Sequence, residues 1–340
     1  MGDADPAEVR FAAVVANPVK VNIERLRAAV ERSSREHGWA APVWRETTVS
    51  DPGARAAREA LSTGAALIIT AGGDGTVRAV AGIVRGTGVP LAIVPAGTGN
   101  LLARGLNLPL NSIEKAVALA FTGEPRSVDV GVVRALPERA SQSAHEHVFV
   151  VMAGMGVDAT LLANTRSSLK KRVGWLAYVD GGMRSLVTLK PMHLRFAVDG
   201  GTPHGARIST ILVANSGRLP GGIDLFPDAA VDDGLLDVAV LQPRSIFGWL
   251  LVWRRVTWEN RVLRRSALGR SLIRFTGALL HVTRPGRRRT VTYLAGKEVT
   301  VTSREPQPFE VDGDPAGIAR ELHFRVEPGA LVIKTPRRLR

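Results

Sequence analysis

The sequence predicts an α/β fold in two parts: a first domain with an open, parallel-type sheet and helices, then a mainly β, sandwich-like second domain. Three observations support this prediction. Apolar runs of strand length alternate with helix-spaced apolar residues in the N-terminal third. Short apolar runs follow one another in the remainder of the chain. The chain has 340 residues, which is more than one average domain contains.

The first predicted strand covers residues 11–16 and runs directly into the turn Asn17-Pro18. Apolar residues at helical spacing then begin at Ile23 and stop near residue 37. This is a complete strand–turn–helix unit. Lys20, just beyond the turn, either supplies charge to a phosphate or is an ordinary solvated lysine, and the sequence leaves both options open.

The central unit contains two further predicted strands, at residues 66–70 and 89–94, and a helix between them. A crossover of this length makes the strands parallel, so the turns that follow them lie at the same carboxyl edge of the sheet. Open α/β sheets bind their ligands at this edge. The two turns are glycine-rich and read Gly72-Gly73-Asp74-Gly75-Thr76 and Pro95-Ala96-Gly97-Thr98-Gly99-Asn100.

The first glycine turn has the chemistry of a phosphate site. Glycines let the backbone approach a ligand closely, and the free amides at a helix start attract phosphate. Asp74 is unexpected there, because a carboxylate repels phosphate unless a Mg²⁺ lies between them or a cation holds the acid. Alternatively, Asp74 only caps the helix.

A second acid lies within an apolar run. Residues 113–121 predict an amphipathic helix, and residues 127–133 predict a strand that contains Asp129. An unpaired carboxylate in such a strand is costly, so Asp129 is expected to have a partner. The alternative is that it caps or turns the end of the strand.

The polar residues 135–147 predict a loop and a domain boundary near Arg134. We therefore predict a nucleotide-binding domain at residues 1–134, with a C-terminal return at about 320–340, and a β-rich domain at residues 135–319. Helical stretches are predicted at residues 173–186 and 246–263. The predicted strands of the second domain cover residues 148–152, 194–198, 208–214, 235–241, 279–283, 291–294 and 299–302.

The composition narrows the class of protein. Cysteine is absent, which excludes disulfides and thiolate metal sites and fits a cytoplasmic protein. The net charge of +14 fits nucleic acid, an anionic membrane surface or a genome-wide arginine bias. Aromatic residues make up 5% of the chain, too few for a base-stacking platform, and no nucleic-acid-binding motif is present, so we expect no nucleic-acid partner.

The two glycine turns together resemble the diacylglycerol kinase catalytic family, which includes bacterial diacylglycerol kinases and their sphingosine and ceramide kinase relatives. The first turn alone is shared with NAD kinases. The resemblance extends to the second domain, for example at residues 154–159 and 232–237. It implies an NAD kinase/diacylglycerol kinase-like fold that binds nucleotide through Asn17, Pro18, Gly72, Gly73, Asp74, Gly75, Thr76, Pro95, Gly97, Thr98, Gly99 and Asn100.

The resemblance also implies supporting residues and three catalytic residues, which are Asp314, Asp312 and Asp74. Asp314 takes the place of the general base, where the family usually has Glu, and Asp312 is expected on the same side of an extended segment. The alternative is an ordinary Asp-Gly-Asp turn. Asp129 and Arg104 are expected to form a network with Asp74.

A structural Mg²⁺ site is implied at Asp233 and the carbonyl of Leu235, although Asp232-Asp233-Gly234 is also ordinary turn chemistry. The family often has an acid after the position of Asn100, whereas this chain has Leu101. A metal ion bound at this position would therefore have one protein ligand fewer in this chain than in those family members.

These features predict an ATP- and Mg²⁺-dependent lipid kinase, with diacylglycerol as the first choice of acceptor and sphingosine or ceramide as the second. An NAD-kinase-like enzyme and a catalytically decayed lipid- or nucleotide-binding protein are the alternatives. The partner is a lipid at a membrane surface, with peripheral attachment and a homodimer as options. The tryptophan-bearing helix at 246–263 either docks on lipid or packs in the core.

Overall fold

A computed structural model describes residues 10–136, 144–156, 191–219, 223–226, 228–242 and 291–337. The N-terminal part contains five helices and the first four strands of the chain. The helices are α1 (Ile23–Glu36), α2 (Ala54–Ser62), α3 (Asp74–Val84), α4 (Leu101–Gly105) and α5 (Ile113–Thr122). The strands are β1 (Ala12–Ala16), β2 (Val43–Glu46), β3 (Leu67–Gly72) and β4 (Leu91–Pro95).

The rest of the described chain consists of strands. They are β5 (Glu124–Leu136), β6 (His145–Phe149), β7 (Met152–Met155), β8 (Met192–Val198), β9 (His204–Ile208), β10 (Thr210–Ala214), β11 (Arg218–Leu219), β12 (Ile223–Asp224), β13 (Leu236–Leu241), β14 (Val291–Gly296), β15 (Glu298–Val311) and β16 (Asp314–Thr335).

The N-terminal strands form a parallel sheet in the order β2-β1-β3-β4. Helices α1 and α5 pack on one face, and α2 and α3 pack on the other. Strands β1, β3 and β4 are almost entirely buried, because helices cover both of their faces. The predicted α/β fold with parallel strands is confirmed, and both glycine turns lie at its carboxyl edge.

The C-terminal strands extend this sheet with antiparallel pairing. Strand β16 pairs with β15 and with β5, and its end reaches the parallel sheet, where Ile333 pairs with Leu91. Strands β7, β10, β13 and β14 continue the sheet beyond β15. A second apolar cluster fills this part and includes Phe149, Phe309 and Phe324. The two parts are therefore joined through one continuous sheet.

The structure differs from the predicted elements at several points. The boundary expected near Arg134 falls inside β5, because β5 pairs with β16 along its whole length. The polar run 135–147 is not wholly a loop, since β6 begins at His145 and pairs with β5. The single strand expected at 148–152 is divided into β6 and β7 by Val150 and Val151.

Three predicted elements, at residues 173–186, 246–263 and 279–283, lie outside the described residues. Strand β2, helix α2 and the short helix α4 were not predicted. Within the described ranges, no helix has both the length and the apolar character needed to span a membrane.

Candidate active site

The Asn-Pro turn follows β1 at the carboxyl edge of the parallel sheet. The amide of Asn17 donates to the carbonyl of Ala71 at 2.8 Å, which ties the turn to the end of β3. The side chain of Asn17 accepts from the amide of Val19 at 3.1 Å, so it shapes its own turn. Pro18 and Lys20 are exposed next to this turn, as expected for groups that meet a ligand.

The first glycine turn is packed too closely for side chains. A Cβ on Gly72 would lie 2.7 Å from Cβ of Thr76, which is buried at the first turn of α3. A Cβ on Gly73 would lie 2.8 Å from Nζ of Lys20 and 3.5 Å from Cα of Gly97. The ammonium of Lys20 therefore lies over the first glycine turn, next to the second.

The second glycine turn is closed by Asn100, which has a left-handed backbone with φ of 48°. Its side chain accepts from the amide of Gly97 at 2.9 Å and donates to the carbonyl of Gly97 at 2.8 Å. Thr98 is exposed at the tip of this turn. Pro95 pairs with Gly72 at the ends of β4 and β3, so the two turns start at the same level.

Asp74 joins the two turns. Its carboxylate accepts from the amide of Asn100 at 2.9 Å and from the amide of Leu101 at 2.7 Å. These amides begin α4, so Asp74 caps a neighbouring helix and not its own. Each carboxylate oxygen has the capacity to accept a further bond. A Cβ on Gly99 would lie 2.7 Å from Oδ2 of Asp74, which explains a glycine at this position.

Asp312 and Asp314 do not lie on one side of an extended segment, and that prediction is wrong. Asp312 and Gly313 form a two-residue turn between β15 and β16, with φ of 50° and 84°. Positive φ at both central residues is typical of a type I′ hairpin, for which Asp-Gly is a favoured sequence. The reversal of the chain points the two carboxylates in different directions.

Asp312 is buried and holds the segment between β6 and β7. Its carboxylate accepts from the amides of Val150, Val151 and Met152 at 2.9–3.0 Å. Burial raises the pKa of Asp312 to about 6, against the opposing effects of these amides and of the positive charge of Arg78. These partners are backbone amides of the segment between β6 and β7, so Asp312 ties the hairpin to this junction of the sheet.

Asp314 lies at the open side of the hairpin, with a side chain that is 57% exposed. Its Oδ2 is 3.6 Å from the position of a Cβ on Gly75, so the carboxylate lies beside the first glycine turn. Arg78, on α3, donates to the same Oδ2 at 2.8 Å. The structure thus brings together Lys20, the two glycine turns and Asp314.

The network expected among Asp74, Arg104 and Asp129 is wrong in its partners. Arg104 donates to the carbonyl of Gly99 at 2.7 Å and so supports the second glycine turn. Asp129 is buried in β5 and accepts from the amides of Gly234 and Gly329, both at 2.7 Å. Asp129 therefore fastens two turns of the C-terminal part to the N-terminal sheet.

The predicted metal site lies in the turn before β13. Asp233 accepts from the amide of Leu235 at 3.0 Å, as in ordinary turn chemistry. Burial and the negative charges of Asp233 and Asp228 together raise the pKa of Asp237 to about 6. Burial also raises the pKa of Asp233, with added effects of Asp129 and Asp232. This accumulation of carboxylates suits a divalent cation, although among the described residues no three acidic, His or Cys side chains are grouped closely enough to hold one.

Two residues near Asp314, which are Arg78 and His147, were not identified from the sequence. Arg78 lies on α3 one helical turn after Asp74 and outside the buried face of that helix. His147 was placed in a loop, but it lies half-buried in β6 against the ring of Phe309. Burial lowers the pKa of His147, and the charges of Arg78 and His145 lower it further.

Arg78, Asp314 and His147 line a cavity of about 490 Å³ between α3, β6 and the hairpin. A neighbouring cavity of about 380 Å³ shares His147 and is lined mainly by apolar residues of β5, β15 and β16. The surface beside Asp314 therefore combines a few polar groups with an apolar lining.

Comparison with known proteins agrees with this arrangement. Residues 12–133 match the family model described as the diacylglycerol kinase catalytic domain, and residues 150–257 match the YegS C-terminal NAD kinase beta sandwich-like domain. A Pseudomonas aeruginosa (strain UCBPP-PA14) protein named "probable lipid kinase YegS-like" is 33% identical over 92% of this chain and 90% of its own length.

One further relative and one solved structure are also similar to this chain. A Bacillus subtilis (strain 168) protein named diacylglycerol kinase is 32% identical over 61% of this chain and 65% of its own length. The crystal structure of a diacylglycerol kinase from Bacillus anthracis str. Sterne is similar in fold, with a TM-score of 0.65 and 17% identity over 96% of this chain and 97% of its own.

Proposed function

This chain belongs to the diacylglycerol kinase catalytic-domain family of lipid kinases, and from that premise we propose that it transfers the γ-phosphate of ATP to a hydroxyl of diacylglycerol. The observation that carries the proposal is the position of the Asp314 carboxylate. Its Oδ2 lies 3.6 Å from the point that a Cβ on Gly75, in the first glycine turn, would occupy. A proton acceptor and a phosphate cradle thus lie side by side at one edge of the sheet.

The nucleotide phosphates bind at the two glycine turns. Gly73 and Gly97 can lie close together because neither carries a side chain, and the first amides of α3 lack partners within their helix. Lys20 supplies the positive charge, since its ammonium lies over Gly73. The Asp74 carboxylate, bonded to the amides of Asn100 and Leu101, keeps the turns in register.

Asp314 acts on the acceptor. The lipid hydroxyl oxygen forms a bond to the γ-phosphorus while the bond between that phosphorus and the bridging oxygen breaks, and ADP leaves. The carboxylate of Asp314 takes the hydroxyl proton as the new bond forms. Most of the rate comes from orientation and charge neutralisation at the glycine turns.

Mg²⁺ enters the proposal at two places. Asp74 would be a suitable ligand for an ion bound with ATP, and that ion would supply charge neutralisation at the phosphates. In the C-terminal part, Asp233, Asp237 and the carbonyl of Leu235 are the groups that would hold a structural ion. The pKa of Asp237, which burial and the negative charge of Asp233 raise, supports this assignment.

The high positive charge supports peripheral contact with an anionic membrane surface, where the acceptor resides. We expect turnover on micelles that contain phosphatidylglycerol to exceed turnover on neutral micelles, and this advantage to disappear in high salt.

Labelled ATP and a panel of acceptors in mixed micelles test the proposal. The panel contains diacylglycerol, sphingosine and ceramide, with NAD as a soluble acceptor. We expect labelled phosphatidic acid as the main product. If labelled sphingosine or ceramide is the main product, diacylglycerol is the wrong acceptor. If the product is labelled NADP, or if the enzyme binds ATP but forms no product, the proposal is overturned.

Lys20→Met tests the phosphate site, with Lys115→Met as the matched control because Lys115 is an exposed lysine on α5. We expect Lys20→Met to raise the KM for ATP by at least about tenfold, which corresponds to about 1.4 kcal/mol of binding free energy. Lys115→Met leaves that KM unchanged.

A further inference from the structure

We propose that Arg78 is a positioning residue for the phosphoryl transfer, which holds the carboxylate of Asp314 at the first glycine turn. This inference rests on the proposed function, because it assigns a partner to the proposed general base. Arg78 lies on α3, and its guanidinium donates to the carbonyl of Val311 and to Oδ2 of Asp314.

The two hydrogen bonds span the hairpin turn. Val311 is the last residue of β15, and Asp314 is the first residue of β16. The planar guanidinium, with donors in a fixed fork, therefore binds both sides of the two-residue turn at once. A single point charge such as an ammonium cannot make this pair of contacts in the same way.

These two hydrogen bonds, which we call the tether, determine where the carboxylate of Asp314 lies relative to the phosphate site. Arg78 is on the same helix whose first turn carries Gly75 and Thr76, one helical turn earlier. The distance from the glycine turn to the Asp314 carboxylate is thus set by a rigid helix and one side chain. Without the hydrogen bond from Arg78, the side chain of Asp314 is an exposed group at the end of a hairpin and is free to turn away from the glycine turn.

The pairing leaves one carboxylate oxygen for the substrate. Arg78 occupies Oδ2, and Oδ1 has no hydrogen-bond partner among the residues that the structure describes. The side chain of Arg78 is only 22% exposed, so water screens the pair less than it screens a fully exposed ion pair. Both side chains line the same cavity of about 490 Å³, from which an acceptor hydroxyl can reach Oδ1.

The other titratable groups around Arg78 leave Asp314 as its principal ionic partner. Asp312 is buried and already satisfied by three backbone amides. His147 has a pKa lowered by burial and by the charges of Arg78 and His145, so its ring is neutral near pH 7. Glu146 lines the same cavity but pairs with Arg85 and Arg325.

The shortened acid gives the tether a specific role in this chain. Asp is one methylene shorter than Glu, so a free Asp314 reaches less far into the cleft. The contact of Arg78 with both sides of the turn brings the whole hairpin tip against α3. The position of the hairpin tip against α3 thus compensates for the shorter side chain of Asp314.

The test uses the full chain with ATP and diacylglycerol in mixed micelles. We expect Arg78→Gln to lower kcat by about 10- to 100-fold, the loss typical of a misplaced reacting group, with the KM for ATP changed less than about twofold. Arg78→Lys recovers part of kcat, because it keeps the charge and one of the hydrogen bonds. It replaces Arg78→Gln in the comparison if the latter does not fold.

Arg85→Gln is the matched control. Arg85 follows the same helix, is also 22% exposed and pairs with Glu146 and Glu327 on the neighbouring strands. This variant loses an ion pair of the same kind away from Asp314. We expect it to keep wild-type kcat.

A double-mutant comparison separates positioning from a general structural effect. If Arg78 acts through Asp314, then Arg78→Gln lowers kcat by less than about twofold when Asp314→Asn is already present. An equal loss in both backgrounds, or an active wild type that Arg78→Gln leaves unchanged, overturns this inference alone. A wild type that phosphorylates no lipid overturns the proposed function as well.

Discussion

The carboxylate of Asp74 accepts the backbone amide of Asn100 at 2.9 Å, across the two glycine turns of the sheet edge. A second contact, from the amide of Leu101 at 2.7 Å, engages the other carboxylate oxygen. Since α3 and α4 follow different strands, these bonds fix the distance between the two turns. An acid among glycines thus has a structural task that is separate from any metal ion.

Asp74→Asn therefore tests the joint between the turns. The amide keeps one acceptor but presents a donor to the other backbone amide, so one hydrogen bond is lost and a donor is left unpaired. We expect turnover on diacylglycerol to fall by about 10²- to 10³-fold, as for the loss of other charge-handling groups. Unfolding free energy falls by about 1–3 kcal/mol, measured by urea denaturation.

Asp51→Asn is the control for this variant. Asp51 also accepts backbone amides at a helix start, from Gly53 and Arg55, but it lies before α2 and away from the glycine turns. We expect a similar loss of stability with full kinase turnover. Equal turnover in Asp74→Asn and wild type would remove Asp74 from the phosphate site.

Gly97→Ala tests the closeness of the two turns. The added Cβ would lie 2.9 Å from Cα of Gly73 and 2.9 Å from Oδ1 of Asn100, so the turns must separate. We expect the Kd for ATP to rise by about tenfold or more, measured by calorimetry in the absence of lipid.

Gly82→Ala is its counterpart inside α3. A Cβ there meets Val148 at 3.6 Å, an ordinary contact distance, and alanine favours the helix by about 1 kcal/mol. We expect a higher unfolding midpoint and an unchanged Kd for ATP. If both alanine variants weaken ATP binding equally, the turns are not the phosphate site.

Asp312 gives the stability a defined pH dependence. Its pKa of about 6 exceeds the value near 4 of an unfolded aspartate, so the native state binds more protons between these values. The contribution of Asp312 to stability is therefore greatest below about pH 4 and is lost as the pH rises to about 6. The size of the change is about 3 kcal/mol.

Comparison with Asp312→Asn isolates this contribution. The amide does not titrate, so the unfolding free energy of the wild type, relative to that of the variant, should fall between pH 4 and pH 6.5. The variant is less stable overall, because its amide meets the backbone amides of Val150 to Met152 with one acceptor fewer. Parallel denaturation curves at each pH measure the difference, and a constant difference would contradict the raised pKa.

Mg²⁺ should stabilise the C-terminal part in a pH-dependent way. Binding relieves the repulsion that raises the pKa of Asp237, and protonation below about pH 6 competes with the ion. At 100 times the Kd, bound ion adds about 2.7 kcal/mol to the stability. We expect the unfolding temperature to rise with Mg²⁺ at pH 7.5 and to rise less at pH 5.

The ligand assignment is tested by Asp233→Asn and Asp237→Asn, which should each abolish this effect. Asp232→Asn, which removes a neighbouring acid paired with Arg126, should retain it. A thermal shift that survives both ligand variants would show that Mg²⁺ binds elsewhere.

Local patterns were sufficient to predict the central strands and helices of the N-terminal part, but not β2, α2 or α4. Strand-length apolar runs, glycine turns and helix spacing are short-range signals, and they correctly predicted β1, α1, β3, α3 and β4 and the shared edge of their turns. The partners of Asp74, by contrast, depend on the third dimension, since Asn100 is brought to it by the crossover.

The prediction that Asp312 and Asp314 lie on one side of an extended segment was wrong for a similar reason. Asp312 and Asp314 have the alternating spacing of a strand, but the glycine between them permits a tight reversal, and the amides of Val150 to Met152 fix it. Arg78 has no local signal of its role, because its partners are 233 and 236 residues away in the chain.

The central claim is that Asp314 accepts the proton of a lipid hydroxyl beside bound ATP. Single-turnover transfer of label from ATP to diacylglycerol, with ATP binding measured on the same samples, tests it most directly for wild type and Asp314→Asn. We predict that the variant binds ATP with a Kd within about twofold of wild type but transfers phosphate at least about 10²-fold more slowly. Transfer at the wild-type rate by Asp314→Asn would contradict the account.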